Sequence, residues 1–389
     1  MTFRSALGVP AFVFLVFFMA VSISPAQTVA ALCNPKVIAD ETVVTPQQRA
    51  VAGHKIEPPL IFPFDWPDTP IGVIKTGGGY EFFASDGGVH RNHKFGSVTR
   101  TLGTLDNPLG TTAPVDVTIN ANPDPTVNPN FPSYDYMGGG PVYPVPAGMP
   151  GAGNLLMVYH AEINTVTTQS FYAVLALAAS TDNGLSWTDL GEIVRVNQAY
   201  RTDLDGYDIG DPPLVVTPDG KYFYIYFRDW LANGTTHWGS TVTLVSVARA
   251  SVEGTLAAAF GNKPHAAPFQ KFYAGSWQQE PGIGGFSTDL NPTAGYAGEL
   301  QVAYNSDLQR YSMIVGEGAI FAYAESEDGL HWSSPVLIYQ FNGQPNTYAM
   351  PVGMGDDPRI LGKQFYIFYT LSDAGWPTAT VGRMTVGCQ

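Results

Sequence analysis

The sequence contains little charge, and what it has is mostly negative. Charged residues make up 13% of the 389 positions, about half of the ~25% that is typical of soluble domains. The formal net charge is −14, and lysine and arginine form no cluster. Because contacts to phosphate backbones require concentrated positive charge, we expect no nucleic-acid partner.

After the first 31 residues the sequence has no apolar run long enough to span a membrane. Within residues 1–31, Arg4 provides a positive start, Ala11–Ile23 is apolar, and Ala26–Ala31 supplies small residues for cleavage. This pattern predicts a signal peptide, and the apolar run is short for a membrane span of about 20 residues. An uncleaved anchor is the alternative. We expect a secreted monomer, extracellular or periplasmic, with no membrane contact after cleavage.

Cysteine is nearly absent as well. Cys33 and Cys388 are the two cysteines, and they lie near opposite ends of the mature chain. Two cysteines exported to an oxidising compartment are expected to pair. The prediction of a disulfide also requires the ends of the chain to meet in space.

Turn-forming and aromatic residues are abundant. The chain has 42 glycines and 31 prolines, is 45% hydrophobic, and has 13% aromatic residues. This composition argues against a helical bundle and indicates a soluble, turn-rich, all-β protein.

An internal repeat gives the architecture. Each copy has a short apolar strand, a turn and an aromatic strand. The copies begin at Asp68, Gly140, Asp211, Glu299 and Asp357.

Units of this length hold four strands, which is typical of a propeller blade. We predict an all-β, five-bladed β-propeller as a single catalytic domain over residues 59–389, preceded by a lead-in segment at 32–58. A strand from the N-terminal end should complete the last unit. A two-sheet sandwich is the competing architecture.

Two further segments recur, Ser180–Trp187 and Ser326–Trp332. In each, aspartate and glycine are expected to form a turn and tryptophan to pack the hairpin onto its sheet. Asp182 and Asp328 are therefore interpreted as structural. One short helix is expected near Ala250–Phe260.

Acidic residues at the start of inner strands would converge on one mouth of a central channel. Glycoside cleavage requires a proton donor and a proton acceptor on either side of the scissile bond. The predicted catalytic set is Asp68, Asp211 and Glu299, with Asp86, Glu280 and Asp357 in reserve. The alternative is that these acids only cap turns at strand entrances.

Other polar and aromatic side chains are candidates for binding sugar. The predicted substrate-binding residues are Trp66, His160, Arg228, Trp230 and Trp277. No spacing indicates a zinc site. The acid-rich stretch 203–211 could hold a structural calcium ion, although it lacks the ligand order of a calcium loop. Otherwise no cofactor is expected.

The motifs resemble those of a known group. The pattern Asp-Pro…Asp-Gly-Lys-Tyr-x-Tyr-Ile-Tyr from Asp211 and the turn Ser326–Trp332 resemble the five-bladed propeller glycoside hydrolases, including the arabinanases and xylosidases of family 43. Phe269–Gly285 is similar to secreted bacterial members.

The resemblance implies a carbohydrate substrate such as an arabinan- or xylan-like polysaccharide. It also implies one Asp as general base, a second Asp that tunes and orients, and a Glu as general acid, which would be Asp68, Asp211 and Glu299. The second unit departs from the family because it begins at Gly140 without an acid. Asp357 is therefore an alternative to either aspartate.

Two other functions stay open. The complete motif at Ser180–Trp187 also occurs in sialidase-like hydrolases, although the arginines stand at no recognisable sialidase motif. A propeller that binds glycans without cleaving them is the other alternative.

Overall fold

The computed structural model describes residues 32–45, 48, 70–85, 98–111, 114–164, 171–200, 209–210, 212–229, 245–267, 269–278, 284–290, 299–317, 319–342, 346–371 and 380–389. In these residues the fold is all-β, and its helices include α1 (Val252–Ala259) and a short 3-10 helix (Phe131–Ser133). The strands are β1 (Pro35–Val44), β2 (Gly72–Thr76), β3 (Gly79–Ser85), β4 (Val98–Gly103), β5 (Val115–Asn120), β6 (Tyr136–Pro144), β7 (Leu155–Asn164), β8 (Phe171–Ser180), β9 (Ser186–Arg195), β10 (Ile209–Gly210), β11 (Leu214–Val216), β12 (Tyr222–Asp229), β13 (Val245–Ser251), β14 (Gln270–Tyr273), β15 (Ser276–Trp277), β16 (Glu299–Asn305), β17 (Arg310–Glu317), β18 (Ile320–Ser326), β19 (Val336–Gln340), β20 (Asn346–Gly353), β21 (Ile360–Leu361), β22 (Gln364–Leu371) and β23 (Thr380–Cys388).

The strands form four hydrogen-bonded sheets within the described part of the chain. The largest has the order β2-β3-β4-β5-β9-β8-β7-β6 and consists of two antiparallel meanders, which join where β5 pairs in parallel with β9. The second contains β10 to β15, and the third has the order β19-β18-β17-β16-β21. The fourth has the order β1-β23-β22-β20. We call β2, β6, β11, β16 and β20 the first strands, because each pairs with the long strand that continues its meander, β3, β7, β12, β17 and β22 respectively.

The predicted strand that closes the last sheet is present. Strand β1 pairs with β23 in antiparallel register, from Pro35 opposite Cys388 to Val44 opposite Val381. Cys33 and Cys388 form a disulfide, which confirms that prediction. Part of the predicted lead-in segment is therefore a strand of the fold.

The first strands of the meanders lie side by side. At the start of β2, the Ile71 N–H donates to Met350 Sδ of β20 at 2.7 Å. Near the end of β2, Lys75 makes an ion pair of 2.7 Å with Asp356, which lies just after β20. Because the residue before β2 contacts the middle of β20 and the end of β2 contacts the residues after β20, the two strands run in the same direction.

The other first strands continue this arrangement. A Cβ atom added to Gly72 of β2 would lie 2.4 Å from the Gly140 carbonyl oxygen of β6, and one added to Gly140 would lie 3.9 Å from the Pro212 ring, just before β11. Strand β11 contacts β16, and β16 contacts β20. The first strands, or the residues that adjoin them, therefore meet in the cyclic order β2, β6, β11, β16, β20.

Aromatic pairs join successive meanders. Every interface in this cyclic order contains two rings with centroids between 4.9 and 6.5 Å apart. Such pairs add to the free energy gained from burial alone. They are Phe83–Trp187, Tyr143–Phe223, Tyr224–Tyr311, Phe321–Tyr369 and Phe368–Phe82.

The two predicted aspartate turns form as expected. Asp182 accepts hydrogen bonds from Ser180 Oγ and from the backbone and hydroxyl of Ser186. Gly184 has φ +79°, and a Cβ atom there would lie 2.6 Å from the Phe83 ring. Only glycine satisfies both constraints at low cost. Asp328 makes equivalent bonds to Ser326, Leu330 and His331.

The predicted helix is confirmed as α1, whose first turn is capped by Ser251 Oγ accepting from the Gly254 N–H. Four of the predicted hairpins also form, as β2–β3, β6–β7, β11–β12 and β16–β17. None of the helices in the described ranges has the length and apolarity needed to cross a bilayer.

The expectation that Asp357 begins an inner strand is wrong. The partner of β22 is β20, which ends at Gly353, whereas β21 pairs in parallel with the end of β16. Strand β20 contains Pro351, which lacks an N–H group. A proline is tolerated there because β20 lies at the edge of its sheet.

We predict that replacing both cysteines by serine destabilises the fold. The disulfide joins residues 355 positions apart, and the chain-entropy model assigns such a link about 6 kcal/mol. The free energy of unfolding, measured in guanidinium chloride for C33S/C388S and for the parent, should fall by up to that amount. Equal stability of the two proteins would show that strand pairing alone holds the chain ends together.

Candidate functional site

Of the predicted catalytic set Asp68, Asp211 and Glu299, Glu299 lies within the described residues. It is the first residue of β16, it is half-buried, and its Oε2 accepts a hydrogen bond of 2.7 Å from the Tyr348 backbone N–H. Tyr348 lies near the start of β20, the neighbouring first strand. The carboxyl group is therefore held where two first strands begin.

The backbone that holds Glu299 is strained. Tyr348 has φ +55°, a left-handed conformation that costs a non-glycine residue about 1–3 kcal/mol. The register of β20 against β22 shifts between Thr347 and Met350. This β-bulge turns the Tyr348 N–H toward Glu299, and such conformations cluster at functional sites.

His160 belongs to a second polar group, at the start of β6. His160 lies opposite Gly138, and Glu162 lies opposite Tyr136. The His160 Nε2 and Glu162 Oε1 atoms are 3.0 Å apart. The Tyr136 ring packs edge-on against His160, with centroids 6.1 Å apart, and its hydroxyl lies 2.5 Å from Ser85 Oγ. The predicted binding residue His160 is therefore part of a network of four side chains.

A buried ion pair supports the start of the third meander. Asp229 ends β12 opposite Ile209 and accepts hydrogen bonds from Lys271 Nζ at 3.2 Å and Ser287 Oγ at 2.6 Å. Lys271 also donates to the Arg195 carbonyl at 2.6 Å. Burial lowers the pKa of Lys271, and the Asp229 carboxylate opposes this effect.

The predicted binding residue Arg228 adjoins this pair. It lies opposite Gly210 in β10 and Val245 in β13. It therefore lies near the start of the inner strands of the third meander, and its sugar-binding role remains a prediction.

Asp357 lies far from Glu299. It is in the turn that follows β20, and its carboxylate accepts from Arg359 Nε at 2.8 Å and Nη2 at 2.6 Å. Although burial alone would raise the pKa of Asp357, the Arg359 hydrogen bonds and charge lower it overall. Tyr348, which holds Glu299, and Gly353, which precedes the turn with Asp357, lie about 16 Å apart along β20 at a rise of ~3.3 Å per residue. The structure therefore does not bring Asp357 together with Glu299.

Trp277 packs within the protein. Its ring lies 5.3 Å from Tyr224 and 5.2 Å from Phe272, centroid to centroid, and the Arg249 guanidinium lies 4.2 Å from its centroid. These contacts lie within the sheet of the third meander, where Trp277 stabilises packing, and its sugar-binding role remains a prediction.

Several predicted site residues lie outside the described residues: Asp68, Asp86, Asp211, Glu280, Trp66 and Trp230. Most of the acid-rich stretch 203–211 does so too. Among the residues that are described, no group of three or more histidine, cysteine, aspartate or glutamate side chains could hold a metal ion.

Sequence reasoning did not identify the roles of Tyr348, Glu162 and Asp229. The left-handed conformation of a tyrosine has no sequence signal. Asp229 ends the aromatic run Tyr222–Asp229, and a carboxylate at the end of such a run is a signal that the sequence does contain. Its partner Lys271 lies 42 residues away, in a segment without any recognisable spacing.

No family model and no curated protein matches the chain. Solved structures do align with it. They include a candidate exo-β-1,3-galactanase from Bifidobacterium bifidum s17, with 13% identity over 82% of this chain and 90% of that one, at a TM-score of 0.48. A family-43 β-1,3-galactosidase aligns with 11% identity over 84% of this chain and 91% of that one, at a TM-score of 0.47.

An exo-β-1,3-galactanase from Phanerochaete chrysosporium aligns with 10% identity over 82% of this chain and 60% of that one, at a TM-score of 0.45. The chain is similar to these glycoside hydrolases, with TM-scores between 0.45 and 0.48.

We predict that Lys271→Met strongly destabilises the protein. The substitution leaves Asp229 buried without its cation, and breaking such a pair costs about 3–5 kcal/mol. The double variant D229N/K271M should recover most of the loss, because neither charge then remains. Thermal or denaturant unfolding of the three proteins measures this.

Lys221→Met is the matched control, because Lys221 pairs with Asp219 at the surface and such pairs contribute about 0–1 kcal/mol. Equal effects of K271M and K221M would show that the buried pair does not support the third meander.

Proposed function

We propose that this protein is a glycoside hydrolase in which Glu299 is the general acid. The observation that carries the proposal is the half-buried Glu299 carboxyl group, held at the start of an inner strand by the strained Tyr348 backbone. A general acid must be fixed within hydrogen-bond reach of the leaving oxygen, and a strained backbone that orients one carboxyl group suits this task.

In the proposed reaction, Glu299 donates its proton to the glycosidic oxygen as the bond to the anomeric carbon breaks. A water molecule adds to that carbon and loses its proton to a carboxylate base, so that one glycosidic bond and one water give two hydroxyl-bearing products. We assign Asp68 as the base and Asp211 as the residue that tunes and orients. Asp211 directly follows Gly210 at the end of β10.

We further propose that the five meanders are the five blades of one propeller domain. The cyclic contacts of their first strands support this arrangement, because they surround a single axis. The starts of these strands then share one mouth. Glu299, the His160–Glu162 pair and Arg228 would face the same substrate there.

The proposed substrate is an arabinan- or xylan-like furanoside or pyranoside in a cell-wall or plant polysaccharide. We propose that the protein is exported with residues 1–31 as its signal peptide and acts as a monomer outside the cytoplasm. The Cys33–Cys388 disulfide supports an oxidising location.

Glu299→Gln tests the assignment of the acid. The amide cannot donate a proton as an acid does, so we expect activity on natural glycans to fall by about 10²–10⁴-fold. Aryl glycosides with dinitrophenolate leaving groups need little protonation and should lose much less activity. Initial rates on both substrate classes, measured by reducing-sugar release and by absorbance, give the comparison.

Glu253→Gln is the control, because Glu253 is exposed on α1. The substrate panel contains arabinan, xylan, β-1,3-galactan and sialosides, with products identified by mass spectrometry. Unchanged cleavage by E299Q would remove Glu299 as the acid. Glycan binding by the parent protein without any product would instead identify a binding propeller.

A further inference from the structure

Glu325 is a buried carboxylate with an uncommon set of donors. It lies near the end of β18 and is fully buried. Its Oε1 accepts from the Cys33 N–H at 3.0 Å and from the Tyr323 hydroxyl at 2.9 Å. Its Oε2 accepts from the Leu32 nitrogen at 2.7 Å. Two of the three donors are therefore backbone nitrogens from the first described residues.

Within the described residues, Glu325 has no cationic side chain as a partner. Two other buried carboxylates do have one, since Glu81 pairs with Arg100 and Asp229 pairs with Lys271, whereas the buried Asp189 accepts from the Tyr159 hydroxyl and the Gly191 N–H instead. A buried charge without a counter-charge is costly. A cation at the position of the Leu32 nitrogen would remove that cost.

The sequence provides a way to place a cation at that atom. Small residues at Ala26–Ala31 end the predicted signal peptide immediately before Leu32. Hydrolysis of the Ala31–Leu32 peptide bond by a signal peptidase adds one water: Ala31 leaves as a carboxylate, and the Leu32 nitrogen takes up a proton as an α-ammonium group. The distance of 2.7 Å to Oε2 is within the ~2.7–2.9 Å of charged N–H···O bonds.

We propose that Glu325 is a binding site for the new N-terminus of a chain cut between Ala31 and Leu32. The Cys33–Cys388 disulfide and the pairing of β1 with β23 hold Leu32 against Glu325. Processing then does more than release the protein, because it supplies the counter-charge of a buried carboxylate. This inference does not depend on glycosidase activity.

The test uses the full-length chain, exported with its own leader from a bacterial host and purified from the exported fraction. N-terminal sequencing and intact mass should show that the protein begins at Leu32. Acetylation by an N-hydroxysuccinimide ester, followed by peptide mass spectrometry, then measures how fast the α-amino group reacts. An ion pair that raises the amine pKa by one unit leaves about tenfold less free amine.

We expect the Leu32 amine to react about tenfold more slowly in the parent protein than in E325Q, with equal lysine reactivity in both proteins as the internal control. Glu327→Gln is the matched variant, because Glu327 is exposed and pairs with Arg310 rather than with the Leu32 nitrogen. This variant should react like the parent.

If E325Q is not recovered, the parent protein is compared before and after unfolding in guanidinium chloride. The Leu32 amine should then be acetylated about tenfold more slowly in the folded protein than in the unfolded protein. An N-terminus at any other residue, an uncut protein, or equal labelling rates would overturn the proposal.

Discussion

The pairing of β1 with β23 is the constraint on which the remaining architecture depends. It brings a strand from the beginning of the chain into the last sheet and places the cysteines within bonding distance. With that sheet complete, β20 can lie beside β2, and the cyclic order of first strands closes. The candidate site depends on this closure, because Glu299 is oriented by Tyr348 of the closing sheet.

Much of the fold could be predicted because its signals are local. Alternating aromatic strands, glycine-containing turns and the two aspartate turns are encoded within short segments, and Gly184 even satisfies a contact with the neighbouring meander. The same local signals wrongly predict an inner strand at Asp357. Its Asp-Pro dipeptide resembles that of the third repeat, whereas the true inner strand β20 contains a proline and lacks the repeat's acidic start.

The candidate site was less predictable because its essential contacts connect distant residues. The sequence indicated Glu299 as a carboxylate before an apolar strand, yet nothing near position 348 signals a left-handed tyrosine. Likewise, Asp229 and Lys271 are 42 residues apart, and Glu325 accepts from Leu32 at the start of the described chain. Such pairs depend on which strand ends meet, and local patterns carry no information about that.

The joined chain ends have a consequence for the topology of the polypeptide. The Cα atoms of Cys33 and Cys388 are 4.8 Å apart, so a short linker could make the backbone continuous there. New ends could be opened at the Gly77-Gly78 turn, where added atoms would meet open space. A circularly permuted chain of this kind would keep nearly every strand pair while moving its starting point. The fold therefore has a cyclic order in which the natural beginning is one choice among several.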